Sequence, residues 1–168
     1  GFKGIKQTAS KKHAELDQED ISTHDKRKFY ESIMIVCDAA KLQSERYAKE
    51  ARVEASRTKD PKRAEELMRI AEACERVPWE PPRNLLEAFQ SIWFTQLMIW
   101  SEENATAYCI ERIDQLLYPY YQAEKAAGTI NDLQMQELFD CFWLKLAEMI
   151  YSISDATSKF FAGYQPYH

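Results

Sequence analysis

The sequence predicts a mainly α-helical fold, and three observations support that prediction. Apolar residues recur at three- and four-residue steps over long stretches, which is the period of one helix face. Only four glycines are present among 168 residues, too few for the many tight turns of a β-sandwich or β-barrel. Helix-starting and helix-stopping residues separate the apolar stretches. At this length, one domain with a real core is expected.

Composition and charge exclude several classes of function. The formal net charge is −5, whereas a nucleic-acid phosphate backbone requires concentrated Lys and Arg, so no nucleic-acid partner is expected. The four cysteines are widely spread and the three histidines stand outside the apolar stretches. Neither a zinc site nor a Ser-His-Asp or Cys-His set is therefore predicted. Without a signal peptide or an apolar run of membrane length, we expect a cytoplasmic protein with no membrane partner.

The first predicted helix begins near Asp25 and runs to about Arg57. The twenty-odd residues before it are mixed and charged, with only Phe2 and Ile5 as apolar anchors. Periodicity predicts one buried stripe along this helix. Its members are Phe29, Ile33, Val36, Cys37, Ala40, Tyr47 and Ala51.

The second predicted helix runs from Pro61 to about Arg76, with Asp60 as its N-cap and Pro61 at the first helical position. It ends before Pro78, because proline disfavours helical geometry in the residue that precedes it. The Pro-rich link 79–82 is predicted to be extended. The residues expected on the inner side of this helix are Ala64, Leu67, Met68, Ala71 and Cys74.

The third predicted helix, Leu85 to about Glu102, is apolar almost all round, with Asn84 as its cap. A helix without a polar face is buried on most sides, so we expect it to lie inside a larger body. Glu102 and Glu103 stand at its C-terminus, where the helix dipole disfavours negative charge. Two interpretations remain open: a cavity mouth with Arg112 as the compensating cation, or a plain exposed turn.

Two further helices follow. One continues through Ala127, with Gly128 placed to end it in a left-handed conformation. Asn131 or Asp132 caps the last one, which is expected to reach about Ile153. Its predicted inward residues are Leu133, Leu138, Phe142, Leu146, Met149 and Ile150.

Three strings in this sequence resemble the pyruvate formate-lyase domain of glycyl radical enzymes. They are ERYAKEA at 45–51, AEACERVPWEPPRNLLEAFQSIWF at 71–94 and ERIDQLLYPYY at 111–121. The Pro-rich link and the Arg-Ile-Asp-Gln element with its Tyr-Pro-Tyr are specific to that family, and the opening GFKGI resembles it as well. The resemblance covers nearly the whole chain, so residues 1–168 are expected to be an N-terminal-to-middle part of such a domain, and the chain reads as a piece of something longer.

The resemblance implies radical chemistry within an α/β barrel of which these residues form a helical layer. It implies a radical lyase or dehydratase that cleaves a C–O, C–N or C–C bond of a small polar substrate through a thiyl radical. A radical S-adenosylmethionine, iron–sulfur activating enzyme would be the partner that installs the glycyl radical, no cofactor would bind these residues directly, and a homodimer is expected. The alternatives are the formate acetyltransferase branch and a non-catalytic helical interaction module.

Two short sequences resemble the catalytic motifs of the family, but each lacks a residue of its motif and is not predicted to be catalytic. Cys109-Ile110-Glu111 has Cys-x-Glu spacing but lacks the preceding Gly, and Gly163 within Phe161–Tyr164 lacks the preceding Arg-Val. The catalytic Cys, its Glu and the radical Gly are therefore expected outside this chain.

The resemblance also implies a role for the polar loop after the third helix. In diol-dehydratase-like members this loop carries Asn-Gly-His-Ser, whose His and Ser touch the substrate. Here Asn104, Ala105, Thr106 and Ala107 stand at those positions. We therefore expect Thr106, Asn104 and Ala107 to line the substrate pocket, and a vicinal diol is disfavoured as the substrate.

Overall fold

In the computed structural model, every element in the described part of the chain is helical. The description covers residues 1–17, 19–103, 109–110 and 112–149, without the side chain of Glu103. The helices are α1 (Phe2–Ala14), α2 (His24–Arg57), α3 (Pro61–Arg76), α4 (Leu85–Glu103), α5 (Ile113–Ala127) and α6 (Asp132–Ala147), with a 3₁₀ turn at Ile21–Thr23. The chain divides into two compact units, Gly1–Arg83 and Asn84–His168, which are described separately.

The first helix of the first unit, α1, was not predicted from the sequence. Its first N–H groups are satisfied by the link after α3: Phe2 N–H donates to the Pro78 carbonyl at 2.9 Å and Lys3 N–H to the Trp79 carbonyl at 3.0 Å. Gly1 permits this approach, because a Cβ on it would lie 2.3 Å from the Trp79 carbonyl oxygen. The N-terminus of α1 is thus fixed by tertiary contacts rather than by a local cap.

Helix α2 packs against both α1 and α3. Its buried residues are small and recur at three- and four-residue steps: Cys37, Ala40, Ser44, Ala48 and Ala51. We call these five residues the small-residue seam. The predicted stripe was wrong at its large members, since Phe29, Val36 and Tyr47 are exposed. Small side chains at the contact let the helix axes approach closely, and the large neighbours are left outside.

Helix α3 begins as predicted. The Asp60 carboxylate accepts the N–H of Lys62 at 3.0 Å, and Pro61 occupies the first turn. Ala71, Ala73 and Cys74 are buried, whereas Met68 was predicted inward and is exposed.

The first half of the link 79–82 is not extended as predicted, since Trp79 lies in a turn and Glu80 in a bend. Residues 77–79 form a turn that includes a cis Val77–Pro78 bond, and Glu80 N–H donates to the Arg76 carbonyl at 2.8 Å. The turn leaves two carbonyl groups pointing at the start of α1, and those hydrogen bonds are long-range in sequence.

The second unit has a core of large side chains. Leu85, Ala88, Phe89, Leu117 and Phe142 form one buried cluster from α4, α5 and α6. The Phe89 ring lies 5.3 Å from the Phe142 ring and 4.9 Å from the Phe139 ring, centroid to centroid. Leu133 was predicted inward and is 78% exposed, because it lies on the opposite side of α6 from Phe142, nine residues away at 100° per residue.

The helix ends in this unit follow the sequence signals. Asn84 accepts the Glu87 N–H at 2.9 Å, and Gly128 ends α5 with φ of 69°. Asn131 starts α6 through a capping box with Gln134. Helix α6 ends at Ala147 rather than near Ile153, and Ile150 lies outside the described residues.

Candidate functional site

The predicted pocket residues Asn104, Thr106 and Ala107 lie outside the described residues, but the two helices that lead to their loop are described. The loop joins the C-terminus of α4 to the N-terminus of α5. At the opposite ends of these helices, Leu85 N–H donates to a Glu124 carboxylate oxygen at 2.6 Å. Since α4 has 19 residues, its C-terminal end lies about 28 Å along the helix from this bond. The two helices therefore form an antiparallel pair.

Contacts between these two helices fix their register. Leu117 of α5 is buried in the cluster that contains Leu85 and Phe89 of α4. The Glu124 carboxylate supplies the first free N–H of α4 with an acceptor, and negative charge at a helix N-terminus is favourable. The role of Glu124 was not predicted from the sequence, because the N–H group that it accepts belongs to Leu85, 39 residues away.

The charged groups beside the loop form a pair that the sequence did not predict. Arg112 donates two hydrogen bonds to Asp114, at 3.0 and 2.8 Å, and both residues are exposed. The hydrogen bond from Arg112 lowers the pKa of Asp114, and the same bond raises the pKa of Arg112. Glu102 is exposed. Among the described residues Arg112 is engaged by Asp114, and the turn that follows Glu102 lies outside them.

Helix α4 carries two buried polar atoms that have no hydrogen-bond partner among the described residues. They are the side-chain carbonyl oxygen of Gln96 and the indole nitrogen of Trp100, one turn apart. None of the α4 residues from Leu85 to Trp100 is exposed, which agrees with the prediction of a helix enclosed on most sides. Leaving such atoms unpaired costs about 1–3 kcal/mol each. In the sequence, the feature that could have indicated these buried polar atoms is Gln96, a glutamine inside an apolar run.

The two buried cysteines provide no reactive centre. Cys37 and Cys74 are buried in the first unit. Burial raises the pKa of both thiols, that of Cys74 to about 12, so neither forms the thiolate readily. Cys109 is exposed and directly follows the loop. Glu111, the acidic residue of the Cys-x-Glu string, lies outside the described residues, as does the string Phe161–Tyr164.

The described residues show neither a candidate metal site nor a helix able to cross a membrane. No group of three or more His, Cys, Asp or Glu side chains is placed to hold a metal ion there. None of the described helices combines the length and the apolar character that crossing a membrane requires.

Comparison with known proteins identifies the family. The model of the family described as pyruvate formate lyase-like matches residues 1–168. The chain belongs to this family. The resemblance seen in the sequence strings at 45–51, 71–94 and 111–121 is thereby confirmed.

Relatives with known names and structures give the same result. An isethionate sulfite-lyase of Desulfovibrio desulfuricans is 43% identical over 169 residues, which cover 98% of this chain and 20% of that protein. The glycerol-bound B12-independent glycerol dehydratase of Clostridium butyricum superposes with a TM-score of 0.92 at 37% identity, over 99% of this chain and 21% of that one. A glycyl radical enzyme of Archaeoglobus fulgidus gives 0.90 at 30% identity, over 97% and 21%.

The chain spans about a fifth of the length of the relatives it matches. It corresponds to part of a glycyl radical enzyme, and the helical fold predicted for it is the fold of the same part in these enzymes.

Proposed function

We propose that the intact protein is a glycyl radical lyase or dehydratase and that residues 1–168 supply helical scaffold and one wall of its substrate pocket. The observation that carries this proposal is similarity along nearly the whole chain to an isethionate sulfite-lyase and to a glycerol dehydratase. The catalytic Cys, its Glu and the radical Gly belong to the polypeptide outside these residues. A radical S-adenosylmethionine activating enzyme is the proposed partner, and the protein is proposed to act as a cytoplasmic homodimer.

The proposed substrate is a small sulfonate of the isethionate type. The sulfite-lyase relative is 43% identical to this chain, whereas the glycerol dehydratase is 37% identical. The replacement of a His-Ser pair by Thr106 and Ala107 also removes the imidazole and hydroxyl expected for a vicinal diol. This adds C–S cleavage to the C–O, C–N and C–C bonds considered from the sequence. Loss of hydrogen sulfite from isethionate leaves acetaldehyde, with no external oxidant or reductant required.

Product analysis distinguishes the proposed substrates. The intact protein, activated without oxygen, is offered isethionate, glycerol and propane-1,2-diol, and sulfite and aldehydes are measured. Sulfite from isethionate, with little dehydration of either diol, is expected. Dehydration of a diol as the main reaction would instead support the second candidate, a dehydratase, which the structural likeness to the glycerol dehydratase favours.

An acetyltransferase and a non-catalytic helical module would each give a different result with the same protein. Formation of acetyl-coenzyme A and formate from pyruvate would identify the acetyltransferase branch. Failure to develop a glycyl radical signal in electron paramagnetic resonance after activation would favour a non-catalytic helical module. Either result would refute the lyase proposal.

Replacing the hydroxyl of Thr106 with a methyl group tests whether this residue lines the pocket. Thr106→Val keeps the side-chain shape and removes the hydroxyl, so we expect kcat/KM to fall by about tenfold or more. The matched control is Thr95→Val on α4, whose hydroxyl donates to the Ser91 carbonyl within the helix at 2.9 Å. If Thr106→Val retained full kcat/KM, the assignment of Thr106 to the pocket, with Asn104 as its support, would be wrong.

A further inference from the structure

The two unpaired polar atoms of α4 differ from the other polar groups near them. Oε1 of Gln96 and Nε1 of Trp100 are buried and have no hydrogen-bond partner within the described part of the chain. The hydroxyl of Ser101, in contrast, donates to the Leu97 carbonyl within the helix at 2.7 Å. A buried polar atom without a partner is destabilising, so we expect Gln96 and Trp100 to acquire partners when the protein functions.

The two atoms have opposite hydrogen-bonding character. The amide oxygen of Gln96 accepts a hydrogen bond, whereas the indole N–H of Trp100 can only donate one. The residues are four positions apart, so their side chains lie on the same face of α4, with Cβ atoms about 5–6 Å apart. One small molecule that carries both a donor and an acceptor can therefore satisfy both atoms.

The same face of α4 changes in character along the helix. Seven residues before Gln96 and Trp100, on the same lines at 100° per residue, Phe89 belongs to the core cluster and Trp93 packs against it. Helix α4 ends at Glu103, three residues after Trp100, which is about 4.5 Å along the axis. The face thus turns from apolar core to unpaired polar atoms in the last two turns before the loop that is proposed to line the pocket.

We propose that Gln96 and Trp100 bind the substrate of the intact enzyme: Gln96 accepts a hydrogen bond from a substrate hydroxyl, and the Trp100 N–H donates one to an anionic oxygen. This assignment rests on the proposed function. Isethionate has one hydroxyl and one sulfonate and therefore offers both partners. Both atoms are shielded from bulk solvent, which suits a radical reaction, because excluding water from a reactive intermediate prevents side reactions.

Binding to the intact protein before activation tests the assignment, because the substrate is then bound without being consumed. Trp100→Phe removes the indole N–H, and Gln96→Met removes the amide at nearly the same side-chain length. We expect the Kd for isethionate, measured by calorimetry, to rise about tenfold or more in each variant. The matched controls Trp93→Phe and Gln90→Met make the same exchanges elsewhere on α4 and should leave the Kd within about twofold.

Hydrogen exchange of the free protein shows whether Gln96 already has a partner. If its partner is the substrate, Gln96→Met should accelerate exchange of the α4 peptide no more than Gln90→Met does. A partner that is already present, either an enclosed water or a residue outside the described ranges, would lose its own hydrogen bond in the variant. Exchange would then accelerate by about fivefold or more beyond the control, and that result would overturn the proposal.

A wrong substrate and a wrong pair of residues give different results. If the unsubstituted protein binds glycerol but not isethionate, the sulfonate proposal fails, and the same variants are titrated with glycerol, whose hydroxyls both donate and accept. If Gln96→Met and Trp100→Phe leave the Kd of the bound compound unchanged, the assignment of these two residues is refuted while the proposed reaction stands.

Discussion

The two compact units of this chain use opposite kinds of side chain at their helix contacts. In the first unit, α2 meets its neighbours through alanine, serine and cysteine, and its large apolar residues are outside. In the second, α4, α5 and α6 close around phenylalanine and leucine. Small residues fix how closely helices approach but bury little area, whereas large residues supply the burial energy. The two units thus differ in the side chains at their helix contacts, although both expose large apolar residues, such as Ile35 in the first and Leu144 in the second.

The largest expected effect comes from removing a ring of the second unit's core. Phe142→Ala in the intact protein deletes the ring that meets Phe89 at 5.3 Å and leaves a cavity. We expect the free energy of local opening of α4–α6 to fall by about 3–5 kcal/mol, measured by hydrogen exchange of peptides from these helices. Glu137→Ala, an exposed position on the same helix, serves as the control and should change it little. Equal exchange in the two variants would contradict a core centred on Phe142.

A complementary substitution tests the first unit. Ala48→Leu adds three carbons to the small-residue seam, where Ala48 is buried. Overpacking of this kind costs about 1–3 kcal/mol, so hydrogen exchange in α2 and α3 should accelerate while that in α5 and α6 does not. The neighbouring Lys49→Leu introduces the same side chain at an exposed position and is expected to be nearly neutral. If Ala48→Leu were as harmless as Lys49→Leu, close approach of the helices would not depend on the seam.

Local signals predicted most of the fold, and long-range contacts account for the errors. Asp60 with Pro61, and Gly128, each fix a helix end through neighbours in sequence, and their structures agree with the prediction. Helix α1 has few apolar residues, and its N-terminus is held by carbonyls about 76 residues away, at Pro78 and Trp79, so no local pattern identified it. The stripe predicted on α2 was confirmed at its small members Cys37, Ala40 and Ala51. Three of its large members are exposed, because hydrophobicity ranks phenylalanine above alanine whereas close helix packing prefers alanine.

Less of the candidate site than of the fold could be predicted from the sequence. The resemblance predicted which loop carries Asn104, Thr106 and Ala107, but that assignment stays a prediction. The contact that braces α4 against α5, Glu124 to the Leu85 N–H, joins residues 39 positions apart and has no sequence signature. Arg112 was considered as the partner of Glu102 and pairs with Asp114, two residues away. Which of several nearby carboxylates an arginine selects depends on local geometry that composition does not contain.

The brace between α4 and α5 gives the third prediction. Glu124→Ala removes the acceptor of the Leu85 N–H, while Asn84 still caps the helix through the Glu87 N–H. We expect the first turn of α4 to open more easily by about 1–2 kcal/mol, which hydrogen exchange of the α4 peptide measures. Glu124→Gln keeps a carbonyl acceptor and should recover most of the loss. If the glutamine variant exchanged as fast as the alanine variant, the hydrogen bond would not be the cause.

The smallest expected effect concerns the exposed ion pair between α5 and α6. Asp132 accepts hydrogen bonds from Lys125 at 2.7 Å and from Tyr121 at 2.5 Å, and these two bonds lower its pKa below the ordinary value. Because the folded-state pKa is the lower one, this stabilisation is present above the unfolded-state value, near pH 4, and is lost as the pH falls through the folded-state value.

Comparison with Asp132→Asn isolates this contribution. At neutral pH and low salt, the α5 and α6 peptides of the intact protein should exchange slightly faster in the variant. The difference should shrink with added salt and as the pH is lowered toward and below about 4, because screening weakens exposed pairs and protonation removes the charge. A difference that persisted at high salt would mean that Asp132 acts chiefly through its short-range hydrogen bonds from Lys125 and Tyr121 rather than through a screened charge interaction. A difference that salt removes would make this pair comparable with the Asp38–Lys6 ion pair between α1 and α2 of the first unit.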